Sequence, residues 1–264
     1  MKIVICSDAA QTRRLAAQVL AQQVKSKPTS VLGLATGRTM EAIYAQLAET
    51  AQQQALDFSR VTTFNLDEYI GLKADHPQSY RYYMQTHLFQ RINIPAANTH
   101  VPDGAAADVE VEAQSYEGRI SQAGGIDLQL LGLGENGHIG FNEPLSALNS
   151  RTHVVTLAQA TLKQNAGMFN NDMEQVPARA LTMGTATILD AREALLVVTG
   201  EAKADIVARV IEGPVSALVP GSALQLHPHC LVLLDEAAAS RLTQREAILW
   251  QMQHDPELRT FLSA

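Results

Sequence analysis

One run of eighteen residues constrains this 264-residue chain more than any other: 127–144, DLQLLGLGENGHIGFNEP. Leu128, Leu130, Leu131 and Leu133 form a short apolar stretch interrupted by Gln129 and Gly132, the pattern of a buried strand. Gly132, Gly134 and Gly137 fall within six residues, so the backbone can turn tightly and approach a ligand closely. His138 sits in that turn, and Glu143 follows just ahead of Pro144. Open α/β sheets place their ligands at the carboxyl ends of buried strands, which is where this titratable cluster falls. The plain alternative is a glycine-rich connection carrying a surface histidine.

The rest of the chain alternates in the same manner. Strand patterns occupy 2–6, 31–34, 61–66, 193–199 and 230–235, with a further one at 152–157. Helical spacing marks 12–25, 40–53, a segment opening at 76–80, then 109–123, 204–212 and 237–252. Residues 93–108 read as a loop, and 181–189 as the opening of a helix. The expectation is an α/β fold with a mostly parallel sheet and helices on both faces, as one domain over 1–264. Residues 158–180 have weak periodicity and many polar side chains, so a lid over about 153–182 is expected, against a plain surface excursion. A net charge of -7 argues against a general nucleic-acid surface, though not against a phosphorylated small molecule. Cys6 and Cys230 lie in apolar runs and read as buried thiols. The first residues do not form a signal peptide, and no apolar run approaches the ~18 residues of a membrane helix. The expected location is therefore cytoplasmic, with no membrane partner.

Three further places carry candidate chemistry. Residues 35–39, Ala-Thr-Gly-Arg-Thr, join a strand to a helix, a geometry that aims N–H groups at an anion. Thr36, Gly37, Arg38 and Thr39 are the candidate ligands; the plain reading is a turn with Thr39 as the N-cap. Asp67 and Glu68 end the third strand, either as solvated charges or as an acid/base centre. Lys203 falls in the first turn of a helix, where it opposes the helix dipole and hints at an anionic ligand. His227 and His229 lack a third ligand at convincing spacing, so no metal is expected.

Together these motifs resemble the glucosamine-6-phosphate deaminase family. The match runs through Leu34-Ala35-Thr36-Gly37, then Phe64-Asn65-Leu66-Asp67-Glu68-Tyr69-Ile70-Gly71-Leu72, His76-Pro77 and Ser79-Tyr80. It continues with Gly132-Leu133-Gly134, Asn136-Gly137-His138-Ile139-Gly140-Phe141-Asn142-Glu143-Pro144, Ser150-Arg151-Thr152 and Leu226-His227-Pro228. The resemblance implies a modified Rossmann-like fold and a place in amino-sugar catabolism, within N-acetylglucosamine degradation. It implies an aldose–ketose isomerase that also uses water, converting glucosamine 6-phosphate to fructose 6-phosphate and ammonium without an organic cofactor or catalytic metal. In that reading His138 opens the sugar ring, oriented by Glu143 and Asn136. Asp67 moves the C2 proton, and Thr36, Gly37, Arg38, Thr39, Gly134 and Lys203 bind the substrate.

Departures from the family pattern bear on the substrate. Many members carry Asp at the position of Asn136. The usual Gly-Gly-Thr-Pro is here Gly37-Arg38-Thr39-Met40, and a usual lid arginine is here Gly167. One cation is lost from the lid and one gained at the loop, so Arg38 is expected to replace the lid arginine on the phosphate. Some members are hexamers activated by N-acetylglucosamine 6-phosphate through basic residues; here those positions are His153 and Val155, so no such activation is expected. The oligomeric state, monomer or homo-oligomer, stays open. The alternatives are a deaminase of galactosamine 6-phosphate, a 6-phosphogluconolactonase-like hydrolase and a non-catalytic sugar-phosphate sensor. A lactonase needs no C2 base, and a sensor would be expected to have lost Asp67, His138 or Glu143.

Overall fold

The computed structural model describes residues 1–262. Its strands are β1 Lys2–Cys6, β2 Val31–Leu34, β3 Thr62–Asn65, β4 Asp67–Tyr69, β5 Thr99–His100, β6 Leu128–Leu131, β7 His153–Thr156, β8 Arg179–Thr182, β9 Glu193–Val198 and β10 Cys230–Asp235. Its α-helices are α1 Ala9–Ser26, α2 Arg38–Gln54, α3 Tyr80–His87, α4 Val109–Gln122, α5 Gln159–Asn165, α6 Thr185–Leu189, α7 Ala204–Ile211, α8 Arg245–His254 and α9 Pro256–Leu262.

Seven strands form a parallel sheet in the order β1-β10-β9-β6-β2-β3-β5. The chain passes outward from β2 to β3, then returns to β6 on the other side of β2 and continues to β9 and β10. Right-handed crossovers running in opposite directions put α1 and α2 on one face and α7 on the other. In agreement, α1 packs on α2. The central strands β2 and β6 are buried along their whole length and β9 and β10 at all positions but Glu193 and Leu231, and they consist mainly of Leu and Val, as expected where both faces are covered. Cys6 and Cys230 are buried free thiols on neighbouring strands. Caps start several helices: Asp8 accepts from the Gln11 N–H, Ser79 from Tyr82, and Asp108 from Glu110 and Val111.

A second, antiparallel sheet of order β4-β8-β7 was not anticipated. It begins one residue after β3: the Leu66 N–H still bonds the Leu34 carbonyl of the large sheet, while the Leu66 carbonyl accepts from Met183 beside β8. The expected lid range therefore ends in two strands, β7 and β8, and the cover proper is 158–176, carrying α5 and two short 3-10 turns. The cover contributes Ala166, Phe169 and Val176 to a separate small core with Tyr69, Tyr80 and Phe141.

Other boundaries shift for tertiary reasons. The 93–108 loop contains β5, two residues long, which pairs with β3 at the sheet edge. The expected helix at 237–252 begins at Arg245, because Glu212, at the end of α7, binds the N–H groups of Thr243 and Gln244 that would otherwise lie inside it. Residues 179–182 form a strand before the short helix α6. The helix expected from 76 starts at Tyr80.

Candidate active site

β2 and β6 are neighbours whose chains leave in opposite directions, so a crevice opens beyond their carboxyl ends. The loop after β2 and the loop after β6 face each other there across a cavity of about 430 Å³, of a size suited to a small molecule. Thr36, Gly37, Arg38, Thr39, Asp67, Gly134, His138 and Lys203 all line it. Asn136 and Glu143 are not on its wall; they stand behind His138 and hold it.

The first corner suits an anion. Gly37 has φ +113, in the region that favours glycine, and it caps α2 without a side-chain bond. This corrects the expectation of Thr39 as N-cap: Thr39 is the second residue of the helix. The Gly37 carbonyl accepts from the Met40 N–H (2.9 Å) and the Tyr83 hydroxyl (2.8 Å), and the Ala35 carbonyl accepts from the Tyr44 hydroxyl. These bonds tie the loop's carbonyls down, while the first amides of α2 stay unclaimed by the helix. Lys203 reaches the same cavity from the turn before α7; burial lowers its pKa while Glu135 opposes that shift. Arg38 is exposed at the rim. A Cβ at Gly167 would lie 2.9 Å from Arg38 Nη2, so the guanidinium fills the space that a side chain at 167 would need.

The second corner holds the imidazole. Gly134 has no room for a side chain, since a Cβ there would come within 2.4 Å of three ring atoms of His138. The Asn136 side chain bridges His138 and Glu143: its Nδ2 donates to Glu143 Oε2 (2.7 Å) and its Oδ1 lies 2.7 Å from His138 Nδ1. The acceptor-only carboxylate fixes which end of the amide faces it. The amide oxygen then accepts from Nδ1–H, leaving Nε2 of the neutral ring as the free base. Glu143 Oε2 is itself 3.5 Å from Nδ1. Burial would raise the Glu143 pKa; hydrogen bonding to His138, Thr161 and Asn136 overrides it and holds the carboxyl down at about 2.

Asp67, the first residue of the small sheet, is buried, and among the described residues no donor bonds its carboxylate. Burial and the neighbouring Glu68 carboxylate push its pKa well above the ordinary range. Glu68 accepts from the N–H groups of Tyr69, Tyr80 and Arg81, yet burial still raises it to about 7. A carboxylate with a raised pKa, open to a cavity, is matched to taking a proton from carbon near neutral pH.

Sequence reasoning did not single out Tyr80 or the cover residues Gln164, Asn165 and Met168, which also line the cavity. Asn165 Nδ2 donates to the Tyr69 hydroxyl (2.8 Å), which also meets that of Tyr80. A buried amide beside an aromatic pair leaves no periodic signal; the Ser79-Tyr80 motif alone pointed there. His227 is committed elsewhere, with Nδ1 accepting from the His229 N–H and Nε2 bonded to the Ala191 carbonyl. Among the described residues no group of three or more His, Cys, Asp or Glu is placed to hold a metal ion. No described helix is long and apolar enough to cross a membrane.

Known proteins resemble this chain in sequence and fold. The family model described as glucosamine-6-phosphate isomerases/6-phosphogluconolactonase matches residues 7–232. A glucosamine-6-phosphate deaminase of Shewanella loihica is 52% identical over 246 residues, 93% of this chain and 91% of that protein. One from Hahella chejuensis is 50% identical over 250 residues, 95% of each. The solved structure of a monomeric glucosamine-6-phosphate deaminase superposes with a TM-score of 0.89 at 45% identity, covering 91% of this chain and all of that one. A 6-phosphogluconolactonase from Trypanosoma cruzi, with a TM-score of 0.75 at 20% identity over 92% of this chain and 97% of that one, shares the fold alone. The chain therefore belongs to the glucosamine-6-phosphate isomerase/6-phosphogluconolactonase family, among its glucosamine-6-phosphate deaminases.

Proposed function

We propose that this chain converts glucosamine 6-phosphate and water to fructose 6-phosphate and ammonium. The observation that carries this is the unpartnered, buried Asp67 carboxylate sharing one cavity with His138 and an amide-lined helix start. His138 Nε2 takes the proton of the anomeric hydroxyl and returns it to the ring oxygen as the C1–O5 bond breaks. Asp67 removes the proton from C2 and delivers it to C1, while the C1 oxygen gains a proton and the nitrogen gives one up, turning the amino aldose into a C2 imine. Water adds to C2 and ammonia leaves, so the step is hydrolytic as well as isomerising. The phosphate lies against the first amides of α2, with the hydroxyls of Thr36 and Thr39 and the cations Arg38 and Lys203. Gly134 keeps the space beside the imidazole free. Arg38, seated under Gly167, takes the place of a lid cation.

The chain acts as one domain, and the cover at 158–176 opens to admit substrate. With His153 half-buried and Val155 uncharged, we infer no activation by an acetylated sugar phosphate. The test is release of ammonium and fructose 6-phosphate from glucosamine 6-phosphate, with galactosamine 6-phosphate alongside. Both products from the gluco sugar support the reading. Activity confined to the galacto sugar moves the substrate, and no ammonium from either overturns it.

A further inference from the structure

The cover reaches the imidazole through Glu143. One oxygen of that carboxylate faces Asn136 and His138; the other, Oε1, accepts from the Ala158 N–H at 3.1 Å. Ala158 is the N-cap residue of α5, and Glu143 takes its N–H from outside the helix, the bond that an N3 side chain makes in a capping box. Three residues on, Thr161 lies on the same face of the helix. Its hydroxyl is buried and has no partner at good hydrogen-bond geometry, though a helical threonine commonly bonds a carbonyl of the preceding turn. As the N3 residue, Thr161 turns back toward the Ala158 N–H that Glu143 Oε1 holds, and it favours the ionised form of that carboxyl.

We infer that Thr161 is a positioning residue, donating its hydroxyl proton to the Glu143 carboxylate so that the cover itself sets the group that orients His138. The inference rests on the proposed role of His138 in ring opening. It gives the cover a task beyond enclosing the sugar: a cover that is not seated leaves Glu143 one donor short, and the imidazole less firmly placed. A hydrogen bond to a charged group is worth roughly 1.5–3 kcal/mol, so its loss should move the Glu143 titration up by about one pH unit or more.

The test uses Thr161→Val, which keeps the shape and removes the hydroxyl, and Thr161→Ser, which restores it. The Glu143 carboxyl is titrated by NMR, and kcat and KM are measured on glucosamine 6-phosphate. The expected result for Thr161→Val is an upward shift of about one unit in the Glu143 titration. With it kcat should fall by about tenfold while KM stays within about twofold, and Thr161→Ser should recover both. A higher KM at unchanged kcat, with Glu143 titrating as in the parent, assigns Thr161 to packing of the cover and overturns the inference. Parent-like values throughout overturn it too. The titration decides the matter even if the parent protein deaminates neither sugar, an outcome that would defeat the proposed function alone.

Discussion

The molecule contains two sheets of different character. The seven-stranded sheet is bonded strand to strand and backed by one continuous apolar core of buried Leu, Val and Ile. The three-stranded sheet is antiparallel, its first strand is three residues long, and its core holds nine buried residues, among them Tyr69 and Tyr80, whose hydroxyls bond each other and the cover. The large sheet supplies fixed loops: the amides of α2, the glycine turn behind His138, and Lys203. The small sheet supplies Asp67 at its first position and the cover over the cavity. The residues that line the cavity are thus divided between two cores, and the cavity lies at their seam. Small cores with few buried apolar contacts open locally at lower cost than large ones.

The comparison breaks most visibly at Asp67. Asp67→Asn should lower kcat by about 10²–10⁴-fold. Because it removes a buried charge that no donor bonds, the melting temperature should hold or rise; a fall in both would make Asp67 a structural residue.

Stability separates the two sheets next. Leu233→Ala, at a fully buried position of β10, should cost about 2–5 kcal/mol of global stability, read from denaturant midpoints. Phe169→Ala removes the cover ring that stands edge-on to Tyr69 at 5.6 Å. It should speed amide hydrogen exchange over 158–176 while leaving exchange in β9 and β10 near parent rates. Equal acceleration everywhere would mean one cooperative unit.

Arg38 and Gly167 join the two regions. Arg38→Ala should raise KM for the phosphorylated sugar by about tenfold, roughly 1.4 kcal/mol. Gly167→Arg alone brings its Cβ to 2.9 Å from Arg38 Nη2, so the exposed guanidinium shifts aside and KM should change less than in Arg38→Ala. The double variant Arg38→Gly, Gly167→Arg should recover KM. If the double variant is no better than Arg38→Ala, the two positions do not share one cation site.

The smallest effect is a shift in pH dependence. Glu68 is one of the two causes that raise the Asp67 pKa. Glu68→Gln removes that neighbouring charge, so Asp67 ionises at lower pH and the acidic limb of kcat/KM should move downward. An unmoved limb would leave burial as the dominant cause. The variant also leaves an amide facing one of three backbone donors, at a cost of about 1–3 kcal/mol.

Much of this was written in local sequence. The long apolar strands matched their expected positions because Val and Leu runs buried on both faces need no partner to be recognised. The glycines at 132, 134 and 137 announced the turn behind His138. What escaped has a common physical cause. The strand Asp67–Tyr69 is too short and too acidic to show a period, and it exists because Thr182 and Leu181 pair with it from far along the chain. The strand Thr99–His100 is likewise defined by β3 alone. The residues 236–244 carry a helical pattern, but Glu212, remote in sequence, holds the backbone amides of Thr243 and Gln244 that a helix would use.

The sequence by itself determined the alternation of strands and helices, the switch-point loops and the candidate acid/base groups, because period, glycine placement and residue chemistry are local. Tertiary structure alone decided that Asp67 starts a second sheet, that the Asn136 amide bridges Glu143 to the imidazole, and that Arg38 lies against Gly167. Each of these depends on a distance between segments that no local pattern encodes, and such distances set the solvation and charge environment of Asp67 and His138.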